Sequence, residues 1–354
     1  MRQSSKKINL KVFIVWAVIS LVLILSACSG ENQSERTGVA DDRQAQPAKE
    51  ATKRLTVMLD WYPNTNHTGL YVALKRGYFT DEGLSVDIVQ PGETGVAQAV
   101  AAGRADLGFS YQEEVTYARA SGLPVVSIAA PLYHNTSAFA ALASSGIKSV
   151  KDFAGKTYGG WGSPTEEAVL KALLKQYGLP EDSVKIVTLG QADFFATIGR
   201  DVDFEWIFYG WDGIEAQRRG IALNTIFLKD LNPVFDYYTP LLITNEQMVE
   251  ASPDDLKKFL RALTRGYEEA YAHPEASVQV LLEYAPELNA ALVSASQAYL
   301  ADEDRKARTE GRPYWGYQKE AVWLGFSNWM HEVGLIDAPI DVKKAFTNDF
   351  LPQK

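Results

Sequence analysis

The chain has 354 residues, 46% of them hydrophobic and 22% charged, with a formal net charge of −9. That length holds about two domains, and the composition excludes a disordered polymer. Residues 1–27 carry Arg2, Lys6, Lys7 and Lys11 and no acid, so the remainder carries −13; a body this acidic argues against nucleic acid or anionic lipid as its partner.

The N-terminus has the pattern of an export segment. The four cations form a basic head, and Val12–Ala27 is an uncharged, mostly apolar run of 16 residues. This is short for a membrane span and suits a signal-peptide core. It ends Leu25-Ser26-Ala27-Cys28, which resembles the lipobox of bacterial lipoproteins. Removal of residues 1–27 and lipidation of Cys28 are therefore expected. Cys28 is the only cysteine, which removes disulfides, thiolate metal sites and cysteine nucleophiles from the folded body. Residues 28–53 are polar with no apolar period, the composition of a tether reaching roughly 25–30 Å. Two acyl chains would hold it to a membrane.

From Leu55 the pattern alternates. Residues 55–59 predict a strand, 68–76 a helix stopped by Gly77, 84–89 a strand, and 94–102 a helix stopped by Gly103. Then follow a strand at 106–109, a helix at 112–120 stopped by Gly122, and strand-like runs at 125–130 and 137–143. The pattern restarts with strands at 157–160, 184–188, 204–209 and 224–228 and helices at 164–177, 192–198 and 212–219. Residues 238–244 look like a strand returning to the first unit, and helices at 253–272, 274–284, 290–301 and 318–333 finish the chain. Short strands alternating with helices of about ten residues predict mostly parallel sheets. The economical arrangement is an α/β protein of two lobes, with residues 54–140 and 240–354 in lobe 1 and 141–239 in lobe 2. The crossovers are placed near 138–144 and 236–242, and the helical tail on lobe 1.

Ligands of open α/β sheets sit beyond the carboxyl ends of the strands, and four such ends are rich in aromatic and polar residues. The first holds Trp61, Asn64 and His67; an indole face and an amide suit a flat polar heterocycle. The second is Ser110-Tyr111-Gln112-Glu113-Glu114, where Ser110 with Glu113 fits a capping box. The third is Gly162-Ser163-Pro164-Thr165-Glu166, a strong helix start whose free N–H groups would suit a carbonyl or anion. The fourth holds Tyr209, Trp211 and Glu215; Trp211 would stack on a ring while the Glu215 carboxylate reads its amino edge. Two further groups, Asp236-Tyr237-Tyr238 and Pro313-Tyr314-Trp315-Gly316-Tyr317, are candidates for the cleft wall, although packing is the commoner fate of such residues.

The run from Trp61 to Ala73, together with Gly103-Arg104-Ala105-Asp106-Leu107-Gly108, Gly160-Trp161-Gly162-Ser163-Pro164-Thr165-Glu166 and Tyr209-Gly210-Trp211-Asp212, resembles the thiamine-pyrimidine family of type II periplasmic binding proteins. The resemblance spans residue 54 to the end. It implies two hinged lobes closing on one small molecule, a formylated aminopyrimidine, with an ABC permease pair and an ATPase pair as membrane partners and no cofactor. The same superfamily includes single-turnover pyrimidine synthases, which sacrifice an active-site histidine and use iron with a cysteine-rich motif. His67 stands in the matching motif here, but the body has no cysteine, so a binding protein is expected and not an enzyme. A sulfonate or other anion is the remaining alternative; it would need a basic anchor, and none of the four strand ends offers Arg or Lys.

Overall fold

A computed structural model describes residues 52–92 and 95–353. The export segment, Cys28 and the tether to residue 51 lie outside the described residues.

In chain order the elements are β1 (Lys53–Met58), α1 (Thr68–Lys75), α2 (Tyr78–Asp81), β2 (Leu84–Val89), α3 (Val96–Ala101), β3 (Leu107–Ser110), α4 (Gln112–Ala120), β4 (Val125–Ala129) and β5 (Ser137–Leu142). Then come β6 (Thr157–Gly160), α5 (Pro164–Gln176), β7 (Lys185–Thr188), α6 (Phe194–Thr197), β8 (Phe204–Phe208), α7 (Ile214–Arg218), β9 (Leu223–Phe227) and α8 (Leu228–Leu231). The chain closes with β10 (Leu241–Asn245), α9 (Glu246–Ala251), α10 (Pro253–Ala272), α11 (Pro274–Tyr284), α12 (Ala290–Thr309), α13 (Glu320–Glu332) and α14 (Val342–Ala345). Helix α12 runs eight residues past the expected stop at 301. The charged stretch there has no apolar period, yet Arg308 bonds Asp304 four residues back, at 2.8 Å, and holds the extra turns.

Two five-stranded sheets result, ordered β2-β1-β3-β10-β4 and β7-β6-β8-β5-β9. In each, four strands share a direction and one is reversed: β10 is antiparallel to β3 and β4, and β5 to β8 and β9. The reversed strand is the one that enters from the other sheet. Residues 138–142, expected at a crossover, are already paired inside the second sheet; the chain crosses just before, at 130–136, and returns between β9 and β10.

Apolar periodicity sets the layers. Leu256, Phe259, Leu260, Leu263 and Tyr267 form one face of α10 and join Leu55, Val57 and Phe109 in the first core. Phe139, Phe153, Tyr158, Leu173 and Phe204 build the second. The tail lies mainly on the first lobe, α10 and α11 against α1, but α12 also packs on α7 of the second.

The two crossing segments are clasped to each other. His134 Nδ1 meets Asp236 at 2.6 Å and its Nε2 meets Glu310 of the tail at 2.7 Å, while Asp236 also accepts from the Asn135 amide at 2.9 Å. Hydrogen bonding to Asp236 raises the His134 pKa above 6.5, against the opposing effect of burial. Only the imidazolium donates from both nitrogens. The clasp's contribution to stability is therefore complete below pH about 6.5 and is lost as pH rises through the higher folded-state pKa. His134→Gln should flatten that fall in urea titrations between pH 6 and 9; an unchanged slope would assign the pH dependence elsewhere.

Candidate functional site

At the first strand end, Asn64 caps a short turn, accepting from Asn66 N at 2.9 Å and donating to the Tyr62 carbonyl at 3.0 Å. His67 is fully buried. Its Nδ1 accepts from Asn64 N at 3.3 Å, which leaves the proton on Nε2, and Nε2 donates to Asp60 at 2.7 Å. With Phe109 against the ring at 5.0 Å, His67 is a pin for the turn, and both nitrogens are used. Trp61 remains 44% exposed and presents an open indole.

At the second, Asp60 also accepts from the Tyr111 hydroxyl. The expected capping box does not form: the Ser110 hydroxyl donates to the Glu114 carboxylate at 2.8 Å instead of accepting from the Glu113 backbone N–H, and Tyr111 occupies the cap position. Gln112 is fully buried and fastens α4 to the returning chain, its Oε1 accepting from Tyr238 N at 2.9 Å. That leaves Glu113. Its carboxyl takes a bond from its own backbone amide, and its Oε2 is shielded from solvent with no hydrogen-bond partner among the described residues. Burial, with the Glu114 charge adding, pushes its pKa up to about 8.

At the third, Ser163 caps α5 and Pro164 takes the first helical position, as expected. The N–H groups are not free, however. Glu166 folds back and accepts from Trp161 N, Gly162 N and Ser163 N at 3.2, 3.0 and 3.3 Å, and from the Tyr158 hydroxyl. An internal carboxylate fills the place proposed for a ligand carbonyl or anion. Gly160 makes room for it: a Cβ there would lie 2.1 Å from Glu166 Oε1. Thr165 reaches across to Tyr117 of α4, 3.0 Å between oxygens.

At the fourth, residues Tyr209–Gly213 form a π turn before α7, which moves the helix start away from Asp212. Tyr209 packs between Phe227 and Tyr299 and accepts from Gln217 at 2.6 Å. Trp211 lies against the Tyr71–Val72 cluster of the first lobe. Glu215 is committed to Arg218 at 2.6 and 2.7 Å and to Arg219 at 2.6 Å. The Arg218 bond foremost lowers its pKa to about 2. Glu215 is therefore not a free reader of a ring edge in this conformation. Of the two further groups, Trp315 is core, stacked on Tyr267 at 4.4 Å. Tyr237 is buried at the crossing and bonded to Asn135.

The four ends nevertheless converge in a closed circuit. Asp60 bonds Tyr111, Tyr117 bonds Thr165, and Trp161 meets Trp206 edge-on at 5.4 Å. Ser296 of α12 then joins Thr65 at 2.6 Å to the Gly210 carbonyl. Tyr117 stands one turn beyond Glu113 on α4, a spacing readable in the sequence; Ser296, on the tail, carries no sequence signal. The circuit leaves one carboxyl oxygen, Glu113 Oε2, without a partner among the described residues, and open indoles at Trp61 and Trp161, the latter 41% exposed.

A family model described as NMT1/THI5 like matches residues 64–277. The chain belongs to the NMT1/THI5-like family. Among its relatives, the formylaminopyrimidine-binding protein of Halalkalibacterium halodurans is 31% identical, covering 96% of this chain and 99% of that one. The riboflavin-binding protein RibY of Chloroflexus aurantiacus is 26% identical over 94% of this chain and 96% of its own. The periplasmic aliphatic sulphonate binding protein SsuA of Escherichia coli shares the fold, with a TM-score of 0.65 at 17% identity over 82% of this chain and 91% of that one. The NMT1/THI5-like chain thus has the two-lobed fold of the periplasmic binding proteins.

Proposed function

We propose that this chain is the solute-binding component of an ABC importer and captures formylaminopyrimidine between its lobes. The observation that carries this reading is Glu113 on α4, whose Oε2 is buried without a partner among the described residues, one turn before the Tyr117–Thr165 contact between the lobes. A carboxyl with a pKa of about 8 keeps its proton at neutral pH, so it donates one hydrogen bond and accepts another. That pattern complements the ring nitrogen and exocyclic amine of an aminopyrimidine. Trp61 and Trp161 offer faces for the ring. The full-length similarity to a formylaminopyrimidine-binding protein supports the same ligand. Binding rather than catalysis is favoured by His67, whose two nitrogens are held by the turn it pins.

In this reading residues 1–27 are removed, Cys28 is lipidated, and the body works at the outer face of the cytoplasmic membrane, delivering its cargo to a permease pair driven by an ATPase pair. Calorimetric titration with formylaminopyrimidine, riboflavin and an alkanesulfonate decides the cargo. Saturable heat with the first alone is expected; heat only with either of the others would overturn the assignment.

A further inference from the structure

Trp206 sits on β8 with 8% of its surface exposed. Its indole N–H is shielded from solvent and has no acceptor among the described residues. Trp323 donates to Gln318 at 3.1 Å, whereas the Trp315 indole N–H, deep in the first core, also lacks an acceptor; Trp206 differs from Trp315 in lying beside the half-exposed Trp161. The Trp206 ring is fixed in place, edge-on to Phe139 at 5.6 Å and to Trp161 at 5.4 Å. Its neighbours belong to the circuit described above, because Trp161 N also bonds Glu166 and the adjoining Thr165 bonds Tyr117 across the lobes. Glu113 Oε2, one turn before Tyr117, likewise has no partner among the described residues. An orphaned donor on the second lobe thus lies beside Trp161, in the circuit whose first-lobe side carries α4 and the unpaired Glu113 Oε2.

We infer that Trp206 is a specificity-determining residue whose indole N–H donates to a carbonyl oxygen on the ligand, so that the site selects carbonyl-bearing aminopyrimidines over the free amines. An indole nitrogen only donates. A formamide arm gives it an acceptor. A protonated amine arm gives it another donor and leaves the buried N–H unpaired, the situation that yields the strongest discrimination between analogues. This inference rests on the function proposed above and adds a donor on the second lobe to it.

The test compares formylaminopyrimidine with its deformylated amine by calorimetry on wild-type protein and on Trp206→Phe, which keeps the ring and loses the donor. Wild type should prefer the formylated compound by about 100-fold, and W206F should lower that ratio about tenfold while binding the amine as before. An unchanged ratio in W206F overturns the inference but leaves the proposed function standing. Wild-type protein that binds neither pyrimidine overturns both. A comparison on wild type needs no variant: equal affinity for the formylated compound and its N-ethyl analogue, similar in size but without the oxygen, overturns the inference even if W206F fails to fold.

Discussion

Glu113→Gln is expected to bind formylaminopyrimidine within a few-fold of wild type, whereas Glu113→Ala should lose about 1–3 kcal/mol, up to roughly 150-fold. The difference follows from the protonation state. A glutamine amide donates and accepts as a protonated carboxyl does, while alanine does neither. The same substitution should alter stability in the opposite sense. With its pKa pushed from 4.5 to about 8 in the fold, Glu113 keeps its proton while the unfolded chain ionises, so stability falls as pH rises from about 4.5 to about 8. The loss amounts to as much as about 5 kcal/mol at alkaline pH. E113Q removes it. Urea titrations of the ligand-free protein at pH 6 and 9 should show the variant gaining on wild type at the higher pH, and calorimetry should show affinity retained. A glutamine variant that loses binding as completely as alanine would mean that the ligand is held as a cation by an ionised carboxylate.

Gly266→Ala should destabilise the protein by about 2–4 kcal/mol, although alanine in a helix interior ordinarily gains about 1 kcal/mol over glycine. The reason is the crossing of α10 with α1. A Cβ at Gly266 would lie 2.1 Å from the Gly69 carbonyl oxygen, 2.8 Å from Ala73 Cβ and 2.9 Å from Ala73 N. These are backbone and methyl atoms with no rotamer to yield. A Cβ at Gly69 would in turn strike the Tyr267 ring at 2.3 Å. The helices must separate, and overpacking of this kind costs 1–3 kcal/mol or more. Because α1 follows directly on the turn pinned by His67, the displacement should also weaken ligand binding. The urea midpoint measures the first effect and calorimetry the second; an equally stable G266A would show that the helices are not in backbone contact.

Strand and helix were legible wherever the information is local. Ser163, Pro164 and Glu166 specify the start of α5 within four residues, and the apolar face of α10 recurs at helical period, so both elements lie where the sequence places them. The choice among carboxylates was only partly legible. Glu113 and Glu215 each occupy the first turn of a helix after a strand. Arg218 and Arg219, three and four residues beyond Glu215, were readable as its partners, and they commit it. That no side chain among the described residues reaches Glu113 Oε2 depends on how α4 packs against residues far away in the chain.

The amino-acid order by itself determined the alternation of elements, the four strand ends and the family, since these arise from periodicities, caps and motifs a few residues long. Only the tertiary structure decided which polar groups are used up inside the protein. It gave His67 to Asp60, Gln112 to Tyr238 and the Trp161, Gly162 and Ser163 amides to Glu166, and among the described residues it left Glu113 Oε2 and Trp206 Nε1 without partners. Hydrogen-bond satisfaction is settled by neighbours in space, which for Gln112 lie 126 residues away in the chain.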